Sequence, residues 1–594
     1  MKTVSPEKQC KSADIDILEL TQFMHKGAVT PLRMRAIDRN AMALGISAET
    51  LMENAGRALA GIIREKIREI SAARPVDVAG IANAAEKPSN VLILCGGGNN
   101  GGDGFVCARI LALAESDDAA KVSVIYPKSA AERYSPESRK NLEKILDIPK
   151  VSVFVAETDD DVRELSHLFD EATLIADCIL GTGAGVGRKL REPLSQMVAS
   201  ANASAAFVVS ADVPTPYMRS DFTAAFHREK VTESGIVTAS EKTSKETEPP
   251  ENVTRGAMPH ETMPNDKIRV CDIGIPAAAE LLTGRGDLSV IPKKSDDAHK
   301  GAGGRVLVIG GCREYQGAPY LAGLAALRAG ADIVQVATFT PTASEFLMKY
   351  PDLIVENLPY DPDIGGYLSG IHEPRLKQLI DLADSVVIGC GLGTRSHETV
   401  RRLAAYAKKA VIDADALRVP LPVPLPVPTP CGLGCAGKPR ELIITPHFGE
   451  FRRISGTEIN AAADNDKSAT ASLRLRAEKA REFIAGVRAD NAAIDAGGLN
   501  AVILLKGAVE VISDGESVRF NTTGTPAMTK GGTGDLLAGL CGALLCRMPA
   551  FDAAGAAAYI LGKCGEAVAE KYGDGLLASD LLPAIAETIR SESK

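Results

Sequence analysis

Thr523-Gly524-Thr525-Pro526-Ala527-Met528-Thr529-Lys530-Gly531-Gly532-Thr533-Gly534-Asp535 sets a glycine-rich turn and a single carboxylate where a helix begins. The apolar run that follows, Leu536-Leu537-Ala538-Gly539-Leu540, reads as a buried helix, so the backbone N–H groups from Gly532 to Asp535 point outward at its positive end. That is a place for a phosphate. A carboxylate there repels the phosphate, and its use is to take a proton from a hydroxyl that attacks it. Asp535 is therefore the candidate general base; the plainer alternative is a helix N-cap, a role Asp fills well. Upstream, Ala501-Val502-Ile503-Leu504-Leu505 suits a buried strand, and Lys506-Gly507 ends it with a cation on a flexible turn. A nucleotide phosphate would meet both.

Working outward, short apolar runs at residues 305–310, 333–337, 385–389, 410–413, 442–445 and 501–505 alternate with amphipathic stretches. An earlier series at 91–95, 122–126, 151–155, 173–177 and 206–210 does the same, after a helical lead-in around 33–38 and 51–56. Strands alternating with helical patterns are the signature of a mostly parallel sheet covered by helices. A chain of 594 residues is too long for one core. The expected organisation is an N-terminal extension at 1–30, an α/β domain at 31–280 and a second α/β domain at 281–594. A polar, Pro- and Thr-rich segment at 228–266 reads as a flexible insertion. The Pro-rich tract at 419–430 cannot join a central strand, because proline has no N–H to donate, and is expected as a surface loop.

Apolar residues make up 45% of the chain and charged residues 24%, a globular composition, and the formal charge of −9 disfavours nucleic acid as a partner. No apolar run reaches membrane length and Met1-Lys2-Thr3-Val4-Ser5 is not followed by an apolar leader, so a cytoplasmic, membrane-free protein is expected. The twelve cysteines are scattered singly, with no disulfide framework. Cys431 and Cys435 approach metal spacing without a second pair nearby, and a zinc site there is disfavoured.

In the first half, Gly96-Gly97-Gly98-Asn99-Asn100-Gly101-Gly102-Asp103-Gly104 follows a strand and opens a helix. Gly96, Gly98 and Gly101 fit a dinucleotide fingerprint. The acid that would bind a ribose after the next strand is missing, because Val124-Ile125-Tyr126 runs into Pro127-Lys128, and Asp103 would disturb a pyrophosphate. Ordinary hydride transfer is disfavoured. A second glycine-rich turn follows Asp177, and Asp212 ends another strand. Strand ends gather on one edge of an α/β sheet, so Asn100, Asp177 and Asp212 are expected to converge. Such hard oxygen donors suit a cation or an activated hydroxyl; the plainer alternative is that each caps a helix or ties down a turn.

With these residues in order, nearly the whole chain resembles the bifunctional NAD(P)H-hydrate repair enzyme family, which joins an NAD(P)H-hydrate epimerase to an ADP-dependent NAD(P)H-hydrate dehydratase. In the first half the matching segments are Asn99-Asn100-Gly101-Gly102-Asp103, Asp177-Cys178-Ile179-Leu180-Gly181-Thr182-Gly183 and Asp212-Val213-Pro214. In the second they are His299-Lys300-Gly301, Tyr315-Gln316-Gly317-Ala318-Pro319, Gly389-Cys390-Gly391-Leu392-Gly393, Asp413-Ala414-Asp415-Ala416-Leu417, Thr445-Pro446-His447-Phe448-Gly449-Glu450, Lys506-Gly507 and the turn ending at Asp535.

The resemblance implies a Rossmann-like three-layer domain followed by a ribokinase-like α/β domain. It further implies that Asn99, Asn100, Gly101, Gly102, Asp103, Gly181, Thr182, Gly183, Ala184, Gly185, Val186, Gly187 and Asp212 contact the hydrated nucleotide. Asn100, Asp177 and Thr215 would hold K⁺. In the second domain Ala318, Gly391, His447 and Asp535 would line the hydrate pocket, while Lys506, Gly507, Ala508, Val509, Glu510 and Gly534 would contact the adenine nucleotide. His447 is read as orienting substrate; a strand-end histidine is otherwise a structural hydrogen-bonding group. Where the family has a Ser-Gly pair the chain has Thr215-Pro216, which keeps a hydroxyl, and Cys390 replaces a usual proline.

The function so implied is repair of hydrated NADH and NADPH. The first half would interconvert the R and S hydrates, with Asp212 handling the proton. The second would dehydrate the S form with ADP, ATP being the other possible donor, and Mg²⁺, releasing AMP and phosphate. A homo-oligomer is also expected. The alternative is an ATP-dependent kinase of a vitamin alcohol, of the same fold, with a non-catalytic nucleotide-binding first half.

Overall fold

The computed structural model describes residues 15–72, 89–114, 121–128, 134–182, 190–232, 235–236, 267–339, 350–423, 439–459, 469–492 and 498–592. These described residues divide into two compact units, one within Gly27–Met34 and Leu44–Pro276 and the other within Met1–Lys26, Arg35–Ala43 and Ala277–Lys594. Residues 183–187 of the second glycine-rich turn, most of the 228–266 segment, Cys431, Cys435 and residues 424–430 lie outside the described residues.

The N-terminal unit is built on β1 (Asn90–Cys95), β2 (Lys121–Pro127), β3 (Val151–Ala156), β4 (Leu174–Cys178), β5 (Phe207–Ala211) and β6 (Phe222–Phe226). A two-stranded hairpin, β7 (Val231–Thr232) and β8 (Gly235–Ile236), precedes the edge strand β9 (Ile268–Cys271). The main sheet runs β3-β2-β1-β4-β5-β6-β9, parallel throughout. Strands buried on both faces read as continuous apolar runs, which is why β1, β2, β4 and β5 are visible in the sequence; the edge strand β3 is visible because Val151, Val153, Phe154 and Val155 are apolar although the strand is only partly buried. Leu92 and Leu94 point to one face, among Ile125, Ile175 and Val208. Helix Asn99–Ala112 presses on the sheet so closely that a Cβ on Gly104 would fall 2.7 Å from Cys95 Sγ.

The C-terminal unit carries β10 (Arg305–Ile309), β11 (Ile333–Thr338), β12 (Ile354–Asn357), β13 (Ser385–Ile388), β14 (Lys409–Ile412), β15 (Arg440–Ile444), β16 (Leu499–Leu505), β17 (Glu510–Ser513) and β18 (Val518–Asn521). They form a sheet of order β12-β11-β10-β13-β14-β15-β16-β17-β18. It is parallel up to β16, and β17 and β18 close it as an antiparallel hairpin. Residues 15–26, read from sequence as an extension, belong to this unit. Leu20 and Phe23 are fully buried in its core, and Phe23 stands edge-on to Phe520 at 6.2 Å. Burying one such side chain contributes about 2 kcal/mol.

Both sheets reverse strand order beside a central strand, β1 against β4 and β10 against β13. At such a switch point the loops leaving the two strands diverge and open a crevice outside their C-terminal ends. The N-terminal candidate residues lie there, and in the C-terminal unit Ala318 and Gly391 follow β10 and β13 while Asp413 and Lys506 follow β14 and β16 on the same edge.

Candidate functional site

In the C-terminal unit the site forms where β13, β14, β15 and β16 end. Asp535 is the third residue of helix Thr533–Leu545, whose N-cap is Gly532 at φ +96°, with no side chain capping it. The N-cap alternative for Asp535 is thereby set aside. Its carboxylate lies with Asp413 and the Cys390 thiol, the ligand atoms all within 4.8 Å of one another. Burial, and then the neighbouring charge of Asp413, lift Asp535 from an ordinary 3.8 to about 7, while the Cys390 thiol donates a hydrogen bond that opposes the rise. Burial, with Asp535 next, pushes the thiol well above its ordinary range, so it remains a donor.

Asp413 is buried at the end of β14 and accepts from Thr445 Oγ1 at 2.8 Å and from Lys506 Nζ at 2.9 Å. Lys506 ends β16, with Glu450 Oε2 3.7 Å from its ammonium. Burial works against that charge, but Asp413 and Glu450 outweigh it and raise Lys506 above the usual lysine range. A Cβ on Gly534 would sit 3.3 Å from Lys506 Nζ. The lysine head and the helix start are thus adjacent, and two sources of positive potential meet there.

The neighbouring loops are pinned to the same place. Gly393 N donates to Asp415 Oδ2 at 2.9 Å, tying the turn after β13 to the turn after β14. Gly391 has φ +67°, and a Cβ there would be 3.1 Å from Ala318 Cβ, so these two predicted pocket residues are in contact. Residues 506–510 form the β16–β17 turn: Gly507 and Ala508 are exposed, Val509 O accepts from Arg476 Nη1, and Glu510 accepts from Asn521. His447 caps helix Phe448–Ser455, its Nδ1 accepting from Gly449 N and Glu450 N, with the ring largely exposed. It reaches the cluster through Glu450, whose Oε2 accepts from His447 N at 2.8 Å.

In the N-terminal unit the site gathers at the ends of β1, β4 and β5. Asp177 is fully buried and accepts four hydrogen bonds, from Ile179 N, Ser210 Oγ, Thr215 N and Thr215 Oγ1, at 2.7–3.2 Å. Burial still raises its carboxyl above the ordinary value. Thr215 Oγ1 also accepts from Leu180 N at 3.1 Å. The next residue, Gly181, lies against Asn100 and Asp212: a Cβ there would be 3.4 Å from Asn100 Cβ and 3.7 Å from Asp212 Oδ2. Asn100 is buried, and among the described residues neither atom of its amide has a hydrogen-bond partner. Asn99 and Thr182 are partly or fully exposed, whereas Gly101, Gly102 and Asp103 are buried, and Gly102 faces Ser138 and Met52.

Lys230 was not legible as a site residue. Its side chain is almost wholly buried, and its Nζ contacts Asp212 Oδ1 and donates to Phe226 O at 2.6 Å. Residues 228–232 therefore do not begin the flexible insertion expected from position 228. They stay packed because Val29 pairs with this segment, Val29 N donating to Glu229 O and Val231 N to Val29 O. Asp413 and Glu450 also join the cluster, each inside a motif that follows a strand. Their signal was their place directly after, or one turn beyond, a buried strand.

Two family models match the chain. One, described as NAD(P)H-hydrate dehydratase, covers residues 306–587, and the other, described as YjeF-related protein N-terminus, covers residues 48–240. The bifunctional NAD(P)H-hydrate repair enzyme Nnr of Methanospirillum hungatei is 39% identical over 587 residues, 99% of this chain and 98% of that protein. The chain belongs to the bifunctional NAD(P)H-hydrate repair enzyme family. The family member of Methanothermobacter thermautotrophicus is 35% identical over 93% of this chain and 94% of its own length. A solved ADP/ATP-dependent NAD(P)H-hydrate dehydratase from Bacillus subtilis is 25% identical, with a TM-score of 0.40, covering 52% of this chain and 98% of that one. The matches do not favour the vitamin-alcohol kinase alternative. Among the described residues no helix is long and apolar enough to cross a membrane.

Proposed function

We propose that this chain restores hydrated NADH and NADPH, the N-terminal unit interconverting the R and S hydrates and the C-terminal unit dehydrating the S form with ADP. The observation that carries the reading is the gathering of Asp535, Asp413 and the largely buried Lys506 at a glycine-rich helix start, where burial lifts the Asp535 carboxyl to about 7. A carboxylate raised this far is basic enough to take a proton near neutral pH, and the adjacent positive potential accepts the phosphate that a freed alkoxide attacks.

In the C-terminal unit Asp535 takes the proton of the C6 hydroxyl, and the oxygen attacks the terminal phosphorus of ADP as the bond to AMP breaks. The ring nitrogen lone pair then expels phosphate from C6, and loss of a proton from C5 restores the ring double bond. Water that was a poor leaving group departs as phosphate. Lys506 and the N–H groups at the start of helix Thr533–Leu545 hold the charge on the transferring group. Ala318 and Gly391 form a wall of the hydrate pocket, His447 orients the substrate, and residues 506–510 with Gly534 receive the adenine nucleotide. Asp413, whose carboxylate lies within ligand spacing of Asp535, would be the hard oxygen group that holds Mg²⁺, whose contribution when bound is to neutralise phosphate charge.

In the N-terminal unit Asp212 takes the proton of the same hydroxyl. The C6–N1 bond breaks as C6 becomes a carbonyl, N1 takes up a proton, and closure onto the other face of that carbonyl reverses these steps with the opposite configuration. Asn100, Asp177 and Thr215 would hold a K⁺ ion: the buried amide oxygen of Asn100 has no hydrogen-bond partner among the described residues and is free to ligate, while Asp177 and Thr215, here bonded to each other, would turn oxygens to the ion. Bound there, K⁺ would hold the strand ends in register.

The test is incubation of the full-length protein with mixed hydrate epimers and ADP. Consumption of both epimers, with AMP and free phosphate, is expected. A stable phosphate ester, or an R epimer that persists after the S form is gone, overturns the respective half of the reading.

A further inference from the structure

Asp212 is held in an unusual state. Its φ is +65°, the left-handed region that a non-glycine residue enters at some cost, and its backbone N–H donates to Ala224 O at 2.8 Å. The two oxygens of its carboxylate differ. Oδ1 takes the Lys230 ammonium and lies 3.4 Å from Phe226 N. Oδ2 is the atom facing the Gly181 turn, where the Asn100 amide also lies.

Lys230 completes this arrangement from the segment that follows β6. Its side chain is 1% exposed, and its backbone is fixed by the pairing with Val29. A lysine ammonium removed from water so completely is expensive, and an ion pair of this kind adds little stability that an apolar pair of similar volume would not supply. Strained backbone and desolvated charge at one point are features that persist where chemistry needs them.

We propose that Lys230 is the positioning residue of the epimerisation site: it engages Asp212 Oδ1, holds the carboxylate in one orientation, and leaves Oδ2 alone to meet the hydrate at the Gly181 turn. The inference rests on the reading of Asp212 as the proton acceptor. Lys230 touches no reacting atom; it acts only through Asp212.

The experiment uses the full-length protein with Lys230→Met, Lys230→Arg, Asp212→Asn and the double variant Asp212→Asn/Lys230→Met. R-to-S conversion of a purified hydrate epimer is measured, with dehydration by the same preparation as an internal control. Lys230→Met is expected to lower kcat about 100-fold with KM within about two-fold, and Lys230→Arg to recover part of the loss. On the Asp212→Asn background, Lys230→Met should change the residual rate by less than about two-fold, because the residue through which it acts is gone.

A wild-type kcat in Lys230→Met, or losses that multiply in the double variant, overturns the proposal and leaves a structural ion pair. If Lys230→Met does not fold, Lys230→Arg decides: an intermediate kcat with unchanged KM supports the role, and a wild-type kcat overturns it. Asp212→Asn with full activity sinks the parent reading of Asp212. Loss in Asp212→Asn beside normal Lys230→Met sinks this inference alone.

Discussion

Replacing Asp535 with asparagine should make the C-terminal unit more stable and its chemistry inactive. Burial and the Asp413 charge lift this carboxyl from 3.8 to about 7. At about 1.4 kcal/mol per pH unit, that lift corresponds to about 4 kcal/mol held against the ionised form in the native state. The sign follows from proton counting. Between the two values the native protein holds a proton that the unfolded chain has released, so the wild type loses stability as pH rises through that window. Asparagine carries no charge to desolvate. Its gain should be near zero below about pH 4, grow through the window, and level off above about pH 7 at about 2–4 kcal/mol. Hydrogen exchange of the amides in helix Thr533–Leu545 reads this directly, and dehydration by the same variant should fall at least about 100-fold. A gain independent of pH, a loss of stability above neutrality, or retained dehydration would refute the argument.

Three further substitutions probe the neighbours. Lys506→Met leaves Asp413 buried without its cation; it should destabilise the unit by about 3 kcal/mol in denaturant unfolding and raise the KM for ADP. Cys390→Ala removes the thiol hydrogen bond that opposes the rise of Asp535, so the ascending limb of the pH–rate profile for dehydration should move to higher pH while the limiting rate persists. Thr215→Val removes a donor from the buried Asp177; a fall of about 1–3 kcal/mol in stability of the N-terminal unit is expected, together with slower epimerisation, measured on a purified epimer.

The strands legible in the sequence were those with a mostly apolar run, most of them buried on both faces and one, β3, at an edge. Val91 to Cys95 and Ala501 to Leu505 are uninterrupted apolar runs, and the structure extends them only to Asn90 and Leu499. The illegible strands lie towards the edges. In β6 alanine and threonine dilute the run between Phe222 and Phe226, β9 carries Arg269 on an exposed edge, and β12 is half exposed at Ile354. Arg519 disguises β18, because its charge is neutralised by Asp287, far away in sequence. The same distinction governs the sites. Asp535, Gly534 and Lys506 could be placed because glycine-rich turns and strand ends announce themselves locally. The pairing of Lys230 with Asp212 could not, since it depends on the fold of a segment whose composition is that of a polar loop. His447 shows the converse: its position after β15 was readable, but its work as a helix cap required coordinates.

The central claim is that Asp535 unmasks an alkoxide that is phosphorylated and then expelled as phosphate. It is tested most directly by measuring free phosphate and reduced nicotinamide together during turnover of the S hydrate with ADP. The account predicts that the two appear in equal amounts with AMP, and that both vanish in Asp535→Asn. Reduced nicotinamide formed without phosphate, or phosphate retained on an organic product, would contradict it.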